Sequence, residues 1–241
     1  MKRAKFYLLI VILAINNPVG AQKWKQYADS ALIYQQEEEV EKATPLWIRA
    51  KENLPSDSLY SVTSIFINNT IGDNYFLLSQ NSKAAPFYIE TLQGMQRNYS
   101  FYQKRYAGIA DTLGQIYFNG DASKAAFYFL KAKNIRDTVF GKSSALYANS
   151  CNNLGNLYGK IGKYDSAEIL YRESKAIREK LFSRTHPDYA QSCNNLSDVL
   201  RKTGHFEEAE PLALEAIAIR AKLAPEKQHR LYAISCNNLA N

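Results

Sequence analysis

Ser150-Cys151-Asn152-Asn153-Leu154 is followed at once by Gly155 and, three residues on, by Tyr158. The same five letters return at Ser192–Leu196 and at Ser235–Leu239, with offsets of 42 and 43 residues. Self-similarity at a fixed period of this size is the mark of a repeat architecture, in which each unit buries its apolar face only against its neighbours. Working outward from that stretch, an alanine recurs at Ala43, Ala84, Ala125, Ala167 and Ala209, in steps of 41, 41, 42 and 42. Four residues after each stand Trp47, Tyr88, Phe129, Tyr171 and then Ala213. Eight or nine residues before each stand Tyr34, Tyr75, Tyr117, Tyr158 and Leu200, and Gly72, Gly114 and Gly155 lie three before the tyrosine. Arg136, Arg178 and Arg220 keep the same spacing of 42.

These columns have a physical reading. Small residues predict places where two helices cross closely, with the aromatic ring filling the space beside the crossing. Leu146, Cys151, Leu154 and Tyr158 recur at helical spacing and predict the first helix of a unit. Gly162 then interrupts, and Asp165 is expected to cap the second helix, with Ser82 and Ser123 in the equivalent place. Pro45, Pro86 and Pro211 each follow the anchor alanine by two, where a proline near a helix start forfeits at most about one ladder hydrogen bond. Each unit should therefore be helix, short turn, longer helix, short link.

The spacing apolar-x2-Leu-Gly-x2-Tyr, then Ala-x3-aromatic, resembles the tetratricopeptide repeat. Cys151-x2-Leu154-Gly155-x2-Tyr158 with Ala167-x3-Tyr171 carries it, as does Ala110-x2-Leu113-Gly114-x2-Tyr117 with Ala125-x3-Phe129. Cys or Ala stands where the family usually has Trp. The period of about 42, against the usual ~34, together with Tyr-Ala-x-Ser-x-Asn-Asn-Leu and His186-Pro187-Asp188-Tyr189-Ala190, is similar to the kinesin-light-chain subtype. Bacterial exported proteins with this subtype often carry a C-terminal caspase-like CHAT domain. The resemblance spans residues 22–241 and is strongest from 105 onward. It implies an all-α fold, a right-handed TPR superhelix (α-solenoid) of antiparallel helix pairs. About five repeats are expected (22–60, 61–103, 104–145, 146–187 and 188–230), plus a truncated sixth over 231–241. Armadillo-like repeats share the period but lack this Gly/Tyr/Ala frame.

The two ends add expectations of their own. Met1-Lys-Arg-Ala-Lys5 is a positive segment, Phe6–Ile15 an apolar run of ten, and Asn16-Asn17-Pro18 a break before the small residues Val19-Gly20-Ala21. This pattern reads as a signal peptide over 1–21, cleaved before Gln22, and so as export to the periplasm or outside the cell. Ten apolar residues span about half a bilayer as helix, so stable membrane insertion is not expected after cleavage. At the other end, Asn241 falls within the first helix of a sixth unit. The chain is therefore expected to be a fragment of a longer protein.

Catalytic chemistry finds no foothold in the pattern. Cys151, Cys193 and Cys236 occupy one column of successive repeats, about 10 Å or more apart, whereas a disulfide needs Cα atoms within about 7 Å. No CxxC pair offers zinc ligands. His186, His205 and His229 fall in links at unlike places in their units, with no nucleophile set beside them. No active site, metal or cofactor is expected. Three of the seven net positive charges belong to Lys2, Arg3 and Lys5, and the rest are dispersed. Nucleic acid is thus not an expected partner, since it calls for a concentrated basic stripe.

The polar residues around the Asn pairs are more informative. Asn149, Asn152 and Asn156 share one face of a helix, and Lys160 continues the stripe. The next unit gives Gln191, Asn194, Asp198 and Arg201 (with Lys202 beside them), and the partial unit gives Asn237 and Asn241. In tetratricopeptide proteins this face lines a concave groove, where an amide can pair with an extended peptide through its donor and acceptor. These ten residues form the expected binding face for a peptide or protein. Asn153 and Asn195 are expected to bond between repeats instead. Upstream, Phe66, Asn69, Asp73 and Phe76 give the same face an aromatic character. The family's clamp for chaperone C-termini uses Lys where this chain has Asp111, Asn152 and Asn194, so that partner is not implied. The expected function is an exported binding scaffold; the alternative is the recognition arm of a CHAT-type protease.

Overall fold

The computed structural model describes residues 22–97 and 99–223, in ten α-helices and no strand among the described residues. These are α1 (Gln22–Gln36), α2 (Val40–Glu52), α3 (Val62–Leu77), α4 (Asn81–Arg97), α5 (Tyr99–Tyr117), α6 (Ala122–Phe140), α7 (Ala145–Lys160), α8 (Tyr164–Phe182), α9 (Pro187–Lys202) and α10 (Phe206–Leu223). The chain divides into two compact units, Met1–Ile109 and Ala110–Asn241, with the boundary inside α5. Within each unit, short turns fold consecutive helices into antiparallel pairs, and pairs stack on one another. None of the described helices is long and apolar enough to cross a membrane.

Three of the five pairs are closed by the same glycine–aromatic crossing, and the other two keep its position with other residues. A methyl group built on Gly72 would lie 2.9 Å from the Tyr88 ring, on Gly114 2.5 Å from Phe129, and on Gly155 2.8 Å from Tyr171. The glycine is thus the space into which the aromatic of the second helix packs. In the first pair Ala31 and Trp47 hold the corresponding places, both fully buried in one apolar cluster. In the fifth pair the two sites change together: the ring becomes Ala213 and the glycine becomes Ser197, whose hydroxyl donates to the Ala209 carbonyl at 2.7 Å. Ala43, Ala84, Ala125, Ala167 and Ala209 are all buried beside these crossings.

The turn inside four of the five pairs also repeats. Glu38, Ser79, Gly162 and Gly204 have positive φ at the same position, five before the anchor alanine. The next N–H bonds back to the carbonyl of Tyr34 (2.9 Å), Tyr75 (2.8 Å), Tyr158 (2.9 Å) or Leu200 (2.8 Å), a closure that satisfies a carbonyl left open at the helix end. The tyrosine column therefore serves the turn through its main chain as well as the core through its ring.

Some local expectations need correction. Asp165 does not cap α8: the helix opens at Tyr164 after Lys163, which makes no side-chain cap. For α6 the cap is Asp121, accepting from the Lys124 N–H at 2.9 Å, so Ser123 falls inside the helix. Leu146 is exposed, and Tyr147 takes the core place. Pro45, Pro86 and Pro211 each stand at the sixth residue of their helices, in the second turn, and each helix runs on through them. The second helix is the longer in α7/α8 (16 and 19 residues) and α9/α10 (16 and 18), but not in α1/α2 (15 and 13).

Candidate functional site

The candidate face lies on α7 and α9, the first helices of two successive pairs. Ser144 caps α7 by accepting from the Tyr147 N–H at 3.2 Å. His186 caps α9 through Nδ1, which accepts from the Asp188 N–H at 3.1 Å while its ring stacks on Phe182 at 4.4 Å. These caps fix where each helix starts, and the helical repeat then places Asn149, Asn152, Asn156 and Lys160 along α7 and Gln191, Asn194, Asp198 and Arg201 along α9. Asn237 and Asn241 lie outside the described residues.

The amides of this face are joined to the frame. Asn149 Oδ1 accepts from Arg178 at 2.8 Å. Asn152 Oδ1 accepts from Asn195 at 2.9 Å, and Asn156 Oδ1 from the Tyr171 hydroxyl at 2.8 Å and from Asn195 at 3.3 Å. Asn194 Oδ1 accepts from Arg220 at 3.3 Å. Asn152 and Asn194 are only 4% and 7% exposed, whereas Asn149, Asn156 and Gln191 keep more of their surface. Lys160 donates to the Phe118 carbonyl (2.8 Å) and Asn119 Oδ1 (2.7 Å), and Asp198 pairs with Arg201 and Lys202. Asn195 bonds to the preceding pair as its column was expected to, and Asn153 donates to Asp111, one pair upstream.

Beneath the face runs a column that the sequence showed only as a spacing. Arg136, Arg178 and Arg220, on α6, α8 and α10, are all buried. Arg136 pairs with Asp111 and donates to Ser150 Oγ at 2.6 Å. Arg178 donates to the Asp188 carbonyl and Ser192 Oγ, both at 2.9 Å, as well as to Asn149. Each arginine thereby ties its helix to a first helix, and Arg136 and Arg178 reach the next pair as well. Burial raises the Asp111 carboxyl above its ordinary range, with Arg136 opposing. Burial likewise lowers the pKa of Arg178 and Arg220.

The cysteines sit in a second repeated cluster. Cys151 and Cys193 are free and fully buried, and Cys236 lies outside the described residues. Tyr147 donates to Glu173 Oε1 at 2.9 Å and Cys151 to Oε2 at 3.5 Å; Tyr189 donates to Glu215 at 3.2 Å and Cys193 faces the same carboxylate. Burial first, then the neighbouring carboxylate, pushes the Cys151 thiol up to about 12, and burial pushes Cys193 up to about 11. Such thiols hold their protons and are poor nucleophiles. Among the described residues, no three His, Cys, Asp or Glu side chains gather as a metal site.

In the first unit the corresponding face is closed by its own contacts. Phe66 packs edge-on against Trp47 at 5.7 Å. Asp73 accepts from Asn69 (3.0 Å), the Tyr88 hydroxyl (2.9 Å) and Arg105 (3.1 Å).

A helix pair with a Gly/aromatic crossing, an alanine anchor and a Tyr-closed turn, repeated at about 42 residues, defines a class of protein. The tetratricopeptide repeat family profile matches residues 106–180 and 146–222. The crystal structure of BtubC (BKLC) from P. vanneervenii superposes with a TM-score of 0.67 at 26% identity, covering 83% of this chain and 80% of that one. The nearly identical TPR-like repeats of a Podosopora anserina protein described as kinesin light chain give 0.66 at 19% identity, over 82% and 94% of the two chains. YrrB, described as a TPR protein with an unusual peptide-binding site, gives 0.61 at 16% identity, over 88% and 91%. Among proteins of curated function none matches the sequence significantly. Residues 106–222 thus carry tetratricopeptide repeats, and the chain has the fold of tetratricopeptide repeat proteins, among them one described as a kinesin light chain.

Proposed function

We propose that the protein is an exported tetratricopeptide scaffold that holds an extended peptide, or a peptide-like segment of a partner protein, along the first-helix face of α7 and α9. One observation carries this reading. Asn149, Asn156 and Gln191 stand partly or well exposed in register on successive pairs, outside the apolar clusters. A row of amides offers hydrogen bonds to any main chain, so it suits recognition of an extended segment. The peptide-binding site named for YrrB supports the same use of a related fold. Export rests on the signal-peptide pattern of residues 1–21, and protein recovered from its host should then begin at or near Gln22.

The test of binding is to pan a random dodecapeptide library against the folded chain and map the selected peptides by hydrogen exchange. Slowed exchange along α7 and α9 is the expected result. Protection confined to α8 and α10 would place the binding surface on the other side and overturn the reading.

A further inference from the structure

The direction of the hydrogen bonds within the candidate face says more than its composition. An arginine side chain donates only, so the group of Asn149 that meets Arg178 Nη2 at 2.8 Å must be its carbonyl oxygen. The N–H2 of Asn149 has no hydrogen-bond partner among the described residues, and the residue is partly exposed. Asn152 and Asn156, three and seven residues on, also use their oxygens as acceptors within the frame, from Asn195 and from the Tyr171 hydroxyl. Arg178 itself is 3% exposed and tied at the Asp188 carbonyl and Ser192 Oγ, so it holds its place whether or not a peptide is bound.

We infer that Arg178 is a positioning residue. It fixes the amide of Asn149 in one of its two orientations, so that this stretch of α7 presents hydrogen-bond donors and takes main-chain carbonyl oxygens of an extended peptide. Without the arginine the Asn149 amide is free to turn, and the face loses its polarity. A buried guanidinium also keeps positive charge directly behind the amide, which strengthens its N–H as a donor. This inference rests on the binding face proposed above, but adds to it a direction that can fail by itself.

Asn149→Asp is the discriminating variant. Asp keeps the shape and the acceptor that faces Arg178, so the internal contact is preserved and gains charge assistance, while the outward donor is lost. The probe is a labelled neutral decapeptide of alternating serine and glycine, which has little to offer except main chain, titrated by NMR at millimolar concentration. Acidic (Glu-Gly) and basic (Lys-Gly) decapeptides serve as comparisons. The expected result is that Asn149→Asp melts no lower than the wild type yet binds the neutral probe about threefold to tenfold more weakly. Asn149→Ala should weaken binding to a similar degree but lower the melting temperature, and Arg178→Met should weaken it without removing any group that touches the peptide. Unchanged binding by Asn149→Asp alongside weakened binding by Asn149→Ala overturns the polarity while leaving the face. Binding of the acidic peptide alone overturns the main-chain assignment in favour of carboxylates. If none of the three peptides shifts the Asn149 side-chain signals, the binding face itself is refuted.

Discussion

Ser183 and Gly141 occupy the same place one repeat apart, at the C-terminal ends of α8 and α6, with φ of 74° and 76° and ψ of 165° and 160°. That backbone is open to glycine and costs other residues on the order of 1–3 kcal/mol. Ser183→Gly should therefore stabilise the protein by about 1 kcal/mol after the entropy of the unfolded glycine is offset, raising the melting temperature by roughly 2–4 °C in calorimetry. The buried thiols make a second residue-scale prediction. The Cys151 pKa is about 12 when folded against 9.0 for the exposed group, so the unfolded chain releases this proton first. Its contribution to stability is complete below about pH 9 and is lost as pH rises toward about 12. The urea midpoint of wild type should fall between about pH 8 and pH 10.5, and Cys151→Ala should fall less over the same interval; equal slopes would refute the assignment. The sequence disclosed the Cys column and its burial. It did not disclose Glu173 and Glu215, because a carboxylate on an amphipathic helix reads as a solvated face until the neighbouring pair is placed on it. Arg136, Arg178 and Arg220 were visible as a period but not as a buried column, for the same reason.

At the scale of the helix pair, the crossing was the most legible feature, because Gly72, Gly114 and Gly155 each stand fifteen or sixteen residues before one large ring. Gly155→Ala should cost about 1–3 kcal/mol, since its methyl would meet Tyr171 Cε1 at 2.8 Å and that ring is held by its bond to Asn156. Gly108→Ala, in the middle of α5 where a methyl meets nothing within 4 Å, should instead stabilise by roughly 0.5–1 kcal/mol. Chemical denaturation of the two variants gives opposite signs if the crossing is built as described. The turns were less legible. Glu38 and Ser79 stand where glycine supplies the positive φ in later pairs, so residue type alone hid a position that the 41-residue steps would have revealed. The helix starts were missed for a related reason: Asp165 is a good capping residue in the wrong place by two, and the closure to the Tyr158 carbonyl sets the start of α8 instead.

For the whole chain, the repeat frame specified an all-helical protein of paired helices from spacing alone, since every unit solves the same packing problem. Function was legible to a smaller degree. The sequence marked the polar stripe of α7 and α9, but not that Asn152 and Asn194 are nearly buried and bonded to Asn195 and Arg220. The more exposed members, Asn149 and Gln191, which accept from Arg178 but keep surface to offer, are therefore the better probes of binding, and Asn195 is the better probe of the joint between pairs. The most direct test of the binding face compares two variants, Asn149→Ala/Gln191→Ala and Asn195→Ala, for melting temperature and for affinity toward a library-selected peptide. The first should lose about tenfold in affinity, two hydrogen bonds of about 0.5–1.5 kcal/mol each, with a smaller change in melting temperature. The second should lose melting temperature with affinity nearly intact. Affinity unchanged in the first variant and lost in the second would show that the exposed amides are not the surface that holds the peptide.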